Sequence, residues 1–586
     1  MKKIFILLLS IFASVCFAAG CSFSDESKPL PPETPPLVSG VTSSAGLAFE
    51  LSDDETYYLA SGIGDCIESN IVISCVHEGK PVKGVKTFAF QNCNTITSLY
   101  LDKGIEYIES YAFFKCSNLI NVTLNEGLKE IEEYAFRNCY KLLEVRNLSE
   151  IELKNGDEEN GYVSFYAKNV YTDQTSFTPF AITEEGFITQ DNGTSASLLG
   201  YAGNASEVIL PTKISDKPYE IYERAFYGCD FSKITFGDGV KKIGASAFDS
   251  CEKLQEVEYT ATLNRWCNVE FLDEKANPLY TGAKFYVNGS EIKNVQITEN
   301  ISPYAFYGYA HLTDLTIADG CQEIGNDAFN GCLNLTNISL ADTVKKIGVN
   351  VFRNCEKITR LKLPDKIEEI GDGAFAYCKK LLEIHFPTTL TMIGKQAFYQ
   401  NLGLTSLEIP ASVLTIDDEA FGGCQNVATL TLNEGLKTIG AGAFSSCKAL
   451  VTVRIPHSVT SVGNSAFDRC SGLDLLIVGD GLTELPYKFA YATNQGATDG
   501  DGLNKIVIGM GVKSIGDYAI AGWKGAAGGI IYYKGTQADY KAITLGYGTQ
   551  VNYAKYVYYF TNVRPTVNAE KYWHYVDGTP TLWSES

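Results

Sequence analysis

The sequence predicts a repeat solenoid, mostly β with short helical or 3-10 turns, carrying small β caps and two insertions. Three observations predict it: a short motif, AFxxC in its commonest form, recurs at 23-residue steps; the apolar positions around each motif phenylalanine recur with it; and one such unit is too small to bury its own apolar groups. The phenylalanines are Phe90, Phe113 and Phe136, then Phe226 and Phe248, then an unbroken series from Phe306 through Phe329, Phe352, Phe375, Phe398, Phe421 and Phe444 to Phe467. Self-similarity at a fixed period of this length is the mark of stacked supersecondary units. Stacking closes the core, because each unit lends its apolar ladder to the next.

Within a unit, Ile or Val stands five residues before the phenylalanine, as in Ile108, Ile324, Ile370 and Val462, and aliphatics follow six, nine and eleven residues after it, as in Leu335, Ile338 and Leu340. The last two alternate at period two, which puts both on one face of a short strand. The AFxxC segment is not strand-like and is expected to turn the chain on the opposite side, with its ring inward. Pro364, Pro387, Pro410 and Pro456 fall just after the strand, where a missing amide donor does little harm. The pattern IGxxAFxxCxxLxxLxLP at a 23-residue step resembles the BspA-like leucine-rich-repeat family of bacterial surface proteins, over about residues 45–586. That resemblance implies a right-handed leucine-rich-repeat superhelix, export, and binding of host or neighbouring-cell surfaces.

Taken in chain order, residues 1–20 read as a signal peptide: Lys2 and Lys3, an apolar run from Ile4 to Val15, then Ala18-Ala19-Gly20 before Cys21. The run is too short for a transmembrane helix with a stop. Ala18-Ala19-Gly20-Cys21 also resembles a bacterial lipobox, which makes Cys21 the lipidation site and the membrane contact an N-terminal lipid only; ordinary cleavage nearby gives a secreted protein instead. Residues 21–44 form a Pro-rich tether, 45–80 an N-terminal β cap, and 81–146 the first repeat array. Residues 147–205 are a β-rich insertion or second cap, with a hairpin turn at Asp191-Asn192-Gly193, and 206–258 resume the repeats. Residues 259–295 are a cap-like module, since EYTATLNRWCNVEF reappears as YYKGTQADYKAITL near the other end. Residues 296–530 form the second array, with Phe489 in a shortened register and Ile520 as a worn copy. Residues 531–586 are an aromatic-rich cap in which Tyr572, Trp573, Tyr575 and Trp583 form either the cap's own core or a contact platform. No apolar tail or wall-sorting motif follows, so attachment is expected at the N-terminus.

The chemistry is one of exclusion. A formal charge of −21, from 48 Lys and Arg against 69 Asp and Glu, leaves no basic surface for nucleic acid. Of the 17 cysteines, those three residues after a repeat phenylalanine share their slot with Tyr309 and Asn401, so the slot needs a modest polar or polarizable group and not a bridge. Parallel side chains on adjacent coils also stay further apart than the roughly 3.8 Å between Cβ atoms of a disulfide. Free, buried thiols are expected there. Cys66 and Cys75 are the one local pair placed to bridge. No CxxC pair, HExxH, GxSxG, Walker loop or GxGxxG occurs, so no catalytic residue, metal ligand or cofactor is predicted.

Function is expected on the strand face, where the position between the last two aliphatics presents one side chain per coil: Thr316, Ser339, Lys362, His385, Glu408, Thr431 and Arg454 in the second array. Their signs are mixed and they carry no aromatic stripe. The reading is a non-catalytic, exported, lipid-anchored protein of the bacterial cell surface that binds extracellular proteins or glycoconjugates over an extended face. An envelope assembly protein, or a scaffold for an enzymatic insertion, are the competing classes.

Overall fold

The protein is described by a computed structural model covering residues 40–172, 180–491, 503–522, 529–554 and 556–583. The signal peptide, Cys21 and nearly all of the tether lie outside the described residues. The chain divides into two compact units: everything described up to Gly203 together with Ile221–Tyr227, and Asn204–Glu220 together with the chain from Gly228 onward.

Each coil of the solenoid contributes to two parallel ladders. In the second unit the longer strands include Asp314–Ile317 and Asn337–Leu340, in register as Leu315↔Ile338 and Ile317↔Leu340. The shorter strands, two residues each, build a seven-stranded parallel sheet from Glu323–Ile324 to Ser461–Val462, in which the Ile five before the phenylalanine is buried and Val462 half-buried. Parallel neighbours of this kind need a crossover, and here the crossover is the rest of the coil. Where a proline follows the longer strand, its carbonyl accepts from the amide three residues on, as Pro364 does from Ile367 at 3.2 Å. Proline's preset φ suits that turn, and its missing donor falls where the ladder has ended.

The motif phenylalanines stack in a column. From Phe306 to Phe467 successive ring centroids lie 5.2–5.5 Å apart and nearly parallel, and every ring is fully buried or within 1% of it. Phe90, Phe113 and Phe136 form a shorter column at 5.0 Å spacing in the first unit. The turn that carries each ring uses left-handed backbone two residues before and two after it, for example φ 55° at Asn350 and 61° at Asn354 around Phe352. Asparagine and glycine suit such positions because they tolerate positive φ.

The cysteine slot has a specific duty. Eight of these thiols, Cys116, Cys139, Cys332, Cys355, Cys378, Cys424, Cys447 and Cys470, donate to the phenylalanine carbonyl of the preceding coil, as Cys378 does to Phe352 at 3.3 Å and Cys424 to Phe398 at 3.2 Å. Asn401 performs the same duty through its amide, 3.0 Å from the Phe375 carbonyl. Repeat thiols from Cys116 to Cys470 are free and buried, with Cys93 half-buried. Burial pushes the thiols up, Cys93 to about 11 and Cys470 to about 12, so they stay protonated donors. Asn401→Ala is therefore expected to cost about 1–3 kcal/mol by orphaning the Phe375 carbonyl. Asn401→Cys is expected to be neutral or stabilising, since Asn401 Oδ1 is itself buried without a partner; urea unfolding of both variants checks this.

Three expectations are corrected. Cys66 is a free thiol while Cys75 is disulfide-bonded, so they do not bridge each other. The 147–205 segment is not wholly an insertion: Asn169–Tyr171 pairs in parallel with Glu144–Arg146 and extends the ladder. Only beyond it do Ala181–Ile182, Phe187–Asp191 and Ala196–Tyr201 form an antiparallel meander, turning after Asp191 as the sequence suggests. The recurrent module 259–295 is a coil within the ladder. Its short helix Leu263–Cys267 replaces the turn between strands, and Lys284–Val287 then continues in parallel register with Glu256–Tyr259. The second copy does the same, with helix Gln537–Lys541 between Ile530–Tyr533 and Thr544–Leu545. Trp266 anchors the first copy: it is fully buried and its indole donates to the Ala305 carbonyl at 2.8 Å, whereas its counterpart Tyr540 is half-buried.

Phe489 sits one slot early. The Phe467 amide donates to its carbonyl, where the amides from Phe306 to Phe444 each meet the residue before the next ring, and Ala490 then takes the ring position. Phe489 meets Phe467 edge-on at 5.7 Å and stays buried.

Candidate functional site

The outward positions of the longer strands in the second unit make the candidate surface. Because side chains alternate across a strand, the residues eight and ten after each phenylalanine face outward, and the seven ladder residues from Thr316 to Arg454 are all exposed. Register brings neighbours side by side: Thr316↔Ser339, Lys362↔His385 and Glu408↔Thr431. Charges cluster at its middle, where Glu383 lies 3.4 Å from His385 Nε2 and 4.0 Å from Arg360. These exposed ion pairs add little stability.

Further on, the outward positions turn apolar. Ile477, Val507 and Tyr532 are buried, and the hairpin of Tyr572–Val576 and Thr579–Leu582 supplies Trp573 to cover them. Trp573 is fully buried, its indole donating to the Tyr533 carbonyl at 3.1 Å. The hairpin turn reaches Arg454, whose Nη2 donates to the Gly578 carbonyl at 3.0 Å, so that last ladder residue is engaged by the cap. Trp583 stacks on His574 at 3.6 Å. The aromatic cluster thus packs on the solenoid and on itself.

Two features of the first unit were missed in the sequence. One is a second aromatic column, Phe88, Tyr111, Tyr134 and Tyr162, with rings 5.2, 5.2 and 5.8 Å apart and the Arg137 guanidinium 4.9 Å from Tyr134. For Phe88, Tyr111 and Tyr134 the signal was the same 23-residue step, two residues ahead of the motif phenylalanine; Tyr162 falls outside that step. The other is Glu144. It occupies the outward position that is exposed at Glu383, yet here only 6% of its surface is accessible. Burial pushes its carboxyl up to about 7, against the opposing pull of Arg146 and Lys168. The sign follows: the folded state is penalised increasingly as pH rises from the ordinary carboxyl range through about 7. Glu144→Gln is therefore expected to raise the melting temperature more at pH 8 than at pH 4.5, a difference readable by calorimetry at the two pH values.

Among the described residues no group of three His, Cys, Asp or Glu side chains is placed to hold a metal ion, and no helix is long and apolar enough to cross a membrane. The sequence model of the "BspA type Leucine rich repeat region (6 copies)" matches residues 66–172, 204–278, 299–421 and 391–525. The chain belongs to this family. The BspA-type repeats account for both units, and the match runs through the helix-bearing coil at 263–267 as well as the regular ones. No curated protein matches the sequence significantly. Among solved structures the chain is similar to a leucine-rich cell surface protein from Faecalibacterium prausnitzii A2-165, at 22% identity over 63% of this chain and 98% of that one, with a TM-score of 0.33. It is similar also to a leucine-rich repeat protein from Bacteroides ovatus ATCC 8483, at 16% identity over 79% and 93%, TM-score 0.31. A third is the pneumococcal vaccine antigen PcpA, at 14% identity over 64% and 98%, TM-score 0.37. At these values the family match, and not the structural likeness, carries the assignment.

Proposed function

We propose that this BspA-type repeat protein is a non-catalytic binding protein of the bacterial cell surface, exported and held to the membrane by an acylated Cys21, that recognises extracellular proteins or glycoconjugates across the strand face of its second unit. The observation that supports it is the ladder itself: seven exposed, mixed polar side chains carried on parallel strands. Such a face offers many weak contacts at fixed spacing, and display of many copies on one surface multiplies them. The buried, protonated repeat thiols and the lack of any recognisable catalytic motif favour binding over turnover.

The test is a combined variant, Lys362→Glu, His385→Glu, Glu408→Lys and Thr431→Lys, compared with the unaltered chain for binding to extracellular-matrix proteins and to epithelial cell layers. Binding is expected to fall at least tenfold while the unfolding midpoint stays unchanged, because all four side chains are exposed. Equal binding by the variant sinks the proposal. Mass spectrometry of the mature N-terminus checks the acyl group on Cys21.

A further inference from the structure

The turn side of the first unit carries an aromatic surface that the ladder reading does not use. Phe88, Tyr111, Tyr134 and Tyr162 run along it as a column, and Phe114 and Phe165 meet Tyr111 and Tyr162 edge-on at 5.4 and 5.3 Å, so six rings are in continuous contact. Phe88 is 51% exposed and the other five are half-buried. The turn itself does not call for aromatic residues. In the second unit the same slot, with the same left-handed backbone, holds a polar residue or glycine in every coil from Asp327 (φ 57°) through Asn350 (φ 55°) and Gly373 (φ 61°) to Ser465 (φ 60°). Contiguous apolar surface left in solvent marks an interaction site.

The charges beside the rings narrow the partner. A cavity of about 300 Å³ opens between Tyr134 and Tyr162, with Glu133, Glu158 and Glu159 in its lining and the buried Ile131 and Gly161 beneath. Two neighbouring acids are committed to the turns: Glu109 accepts the amide and hydroxyl of Thr87, and Glu132 those of Ser110. The three lining carboxylates are exposed, and none forms an ion pair among the described residues; the Tyr162 hydroxyl donates to Glu158. Like charges around one small opening repel an anion and attract a cation. The rings favour a cation as well. Arg137 already lies 4.9 Å from the Tyr134 ring and 5.6 Å from Tyr162, and Lys115 5.4 Å from Phe114, both outside the cavity lining. A guanidinium suits the cavity better than an ammonium, because its flat face stacks on a ring while its fork of donors meets carboxylates in pairs.

We propose that the turn side of the first unit is a docking surface for a basic segment of a partner protein. One arginine of that segment sits between Tyr134 and Tyr162 against Glu133, Glu158 and Glu159, and its apolar residues lie along the ring column towards Phe88. The proposal goes beyond the ladder reading, since it concerns the other unit and the turn side of the coil, and it stands or falls separately. Because the carboxylates are exposed, their attraction is screened by salt; the aromatic contact is not.

The experiment is fluorescence anisotropy at low salt on the full mature chain, with labelled peptides in which leucine alternates with arginine, with lysine or with glutamate. The arginine peptide is expected to bind with a Kd on the order of 100 μM, the lysine peptide about fivefold more weakly and the glutamate peptide not measurably. The combined variant Glu133→Gln, Glu158→Gln and Glu159→Gln is expected to weaken the arginine peptide about tenfold with the unfolding midpoint unchanged, since all three side chains are exposed. Tyr162→Asn, which the φ of 67° at that position accommodates, is expected to weaken it about fivefold. A control variant, Asp365→Asn, Glu368→Gln and Glu369→Gln, removes the same charge from exposed positions of the second unit. It and the four-position ladder variant are expected to bind the peptide as the unaltered chain does, so failure of the ladder reading and failure of this one give different patterns. The proposal is overturned if the arginine peptide binds no better than the glutamate peptide, if the lysine peptide binds as tightly, or if the glutamine variant or Tyr162→Asn leaves binding unchanged. Equal weakening by the control variant would reduce the effect to net charge and overturn it too. So would a dimer in sedimentation that Tyr162→Asn dissociates, because a second copy of the chain would then occupy the surface.

Discussion

Phe375→Ala is expected to lower the unfolding free energy by about 3–5 kcal/mol, the range for deleting a fully buried aromatic ring. Phe375 has no accessible surface, and its ring lies between Phe352 at 5.3 Å and Phe398 at 5.4 Å. The neighbouring rings are fixed by backbone bonds that the substitution leaves intact, the Phe352 amide to Ala374 and the Phe375 amide to Ala397. They cannot close on the vacancy, so the loss should sit near the upper end. Coupling in a solenoid runs chiefly between adjacent coils. Amide exchange is therefore expected to quicken in the coils of Phe352, Phe375 and Phe398 and to stay unchanged around Phe306. A loss below about 1 kcal/mol in urea unfolding would show that the ring column is not the axis of the core.

Trp573→Ala is the second large effect, expected at about 3–5 kcal/mol for the cap it anchors. Its consequence differs in kind. Removing the indole takes away the bond to the Tyr533 carbonyl and uncovers Ile477, Val507 and Tyr532 on the outward face. Exposed apolar surface on strands is an aggregation hazard. The variant should thus elute as soluble oligomers in size-exclusion chromatography and bind a hydrophobic dye, while Phe375→Ala stays monodisperse at temperatures below its melting point. A monomeric Trp573→Ala that binds no dye would mean that the hairpin is not what covers that face.

The ring column was legible because a period needs only one chain to be seen: from Phe90 to Phe136 and from Phe306 to Phe467, 23 residues separate each motif phenylalanine from the next, and equal spacing in sequence becomes stacking in space. The duty of the cysteine slot was legible in part. Its sharing with Asn401 pointed to a polar role, but the partner, a carbonyl of the preceding coil, follows only from how the turns nest. The same limit explains Cys66 and Cys75, close in sequence but not joined to each other. The helix-bearing coils were misjudged for a related reason. Their recurrence was visible, yet a segment that breaks the motif while keeping the ladder looks the same in sequence as one that ends it. For the C-terminal hairpin a signal existed, since the outward positions become Ile477, Val507 and Tyr532 where earlier coils carry Lys362 or Thr431.

The sequence by itself determined the solenoid, its repeat, the inward and outward sides of each strand and the candidate ladder, because all of these are local periodicities repeated along one axis. Only the tertiary structure decided which outward residues remain outward. Glu144 and Glu383 occupy the same position in their coils, and one is buried while the other is exposed. Tyr171 and Phe180 stand beside Glu144 in its cavity, while the cavity at Glu383 is lined by strand residues of the repeat coils, Arg360, Leu361, Lys362 and His385. Burial is a property of neighbours in space, and a repeat specifies only the neighbours that repeat with it.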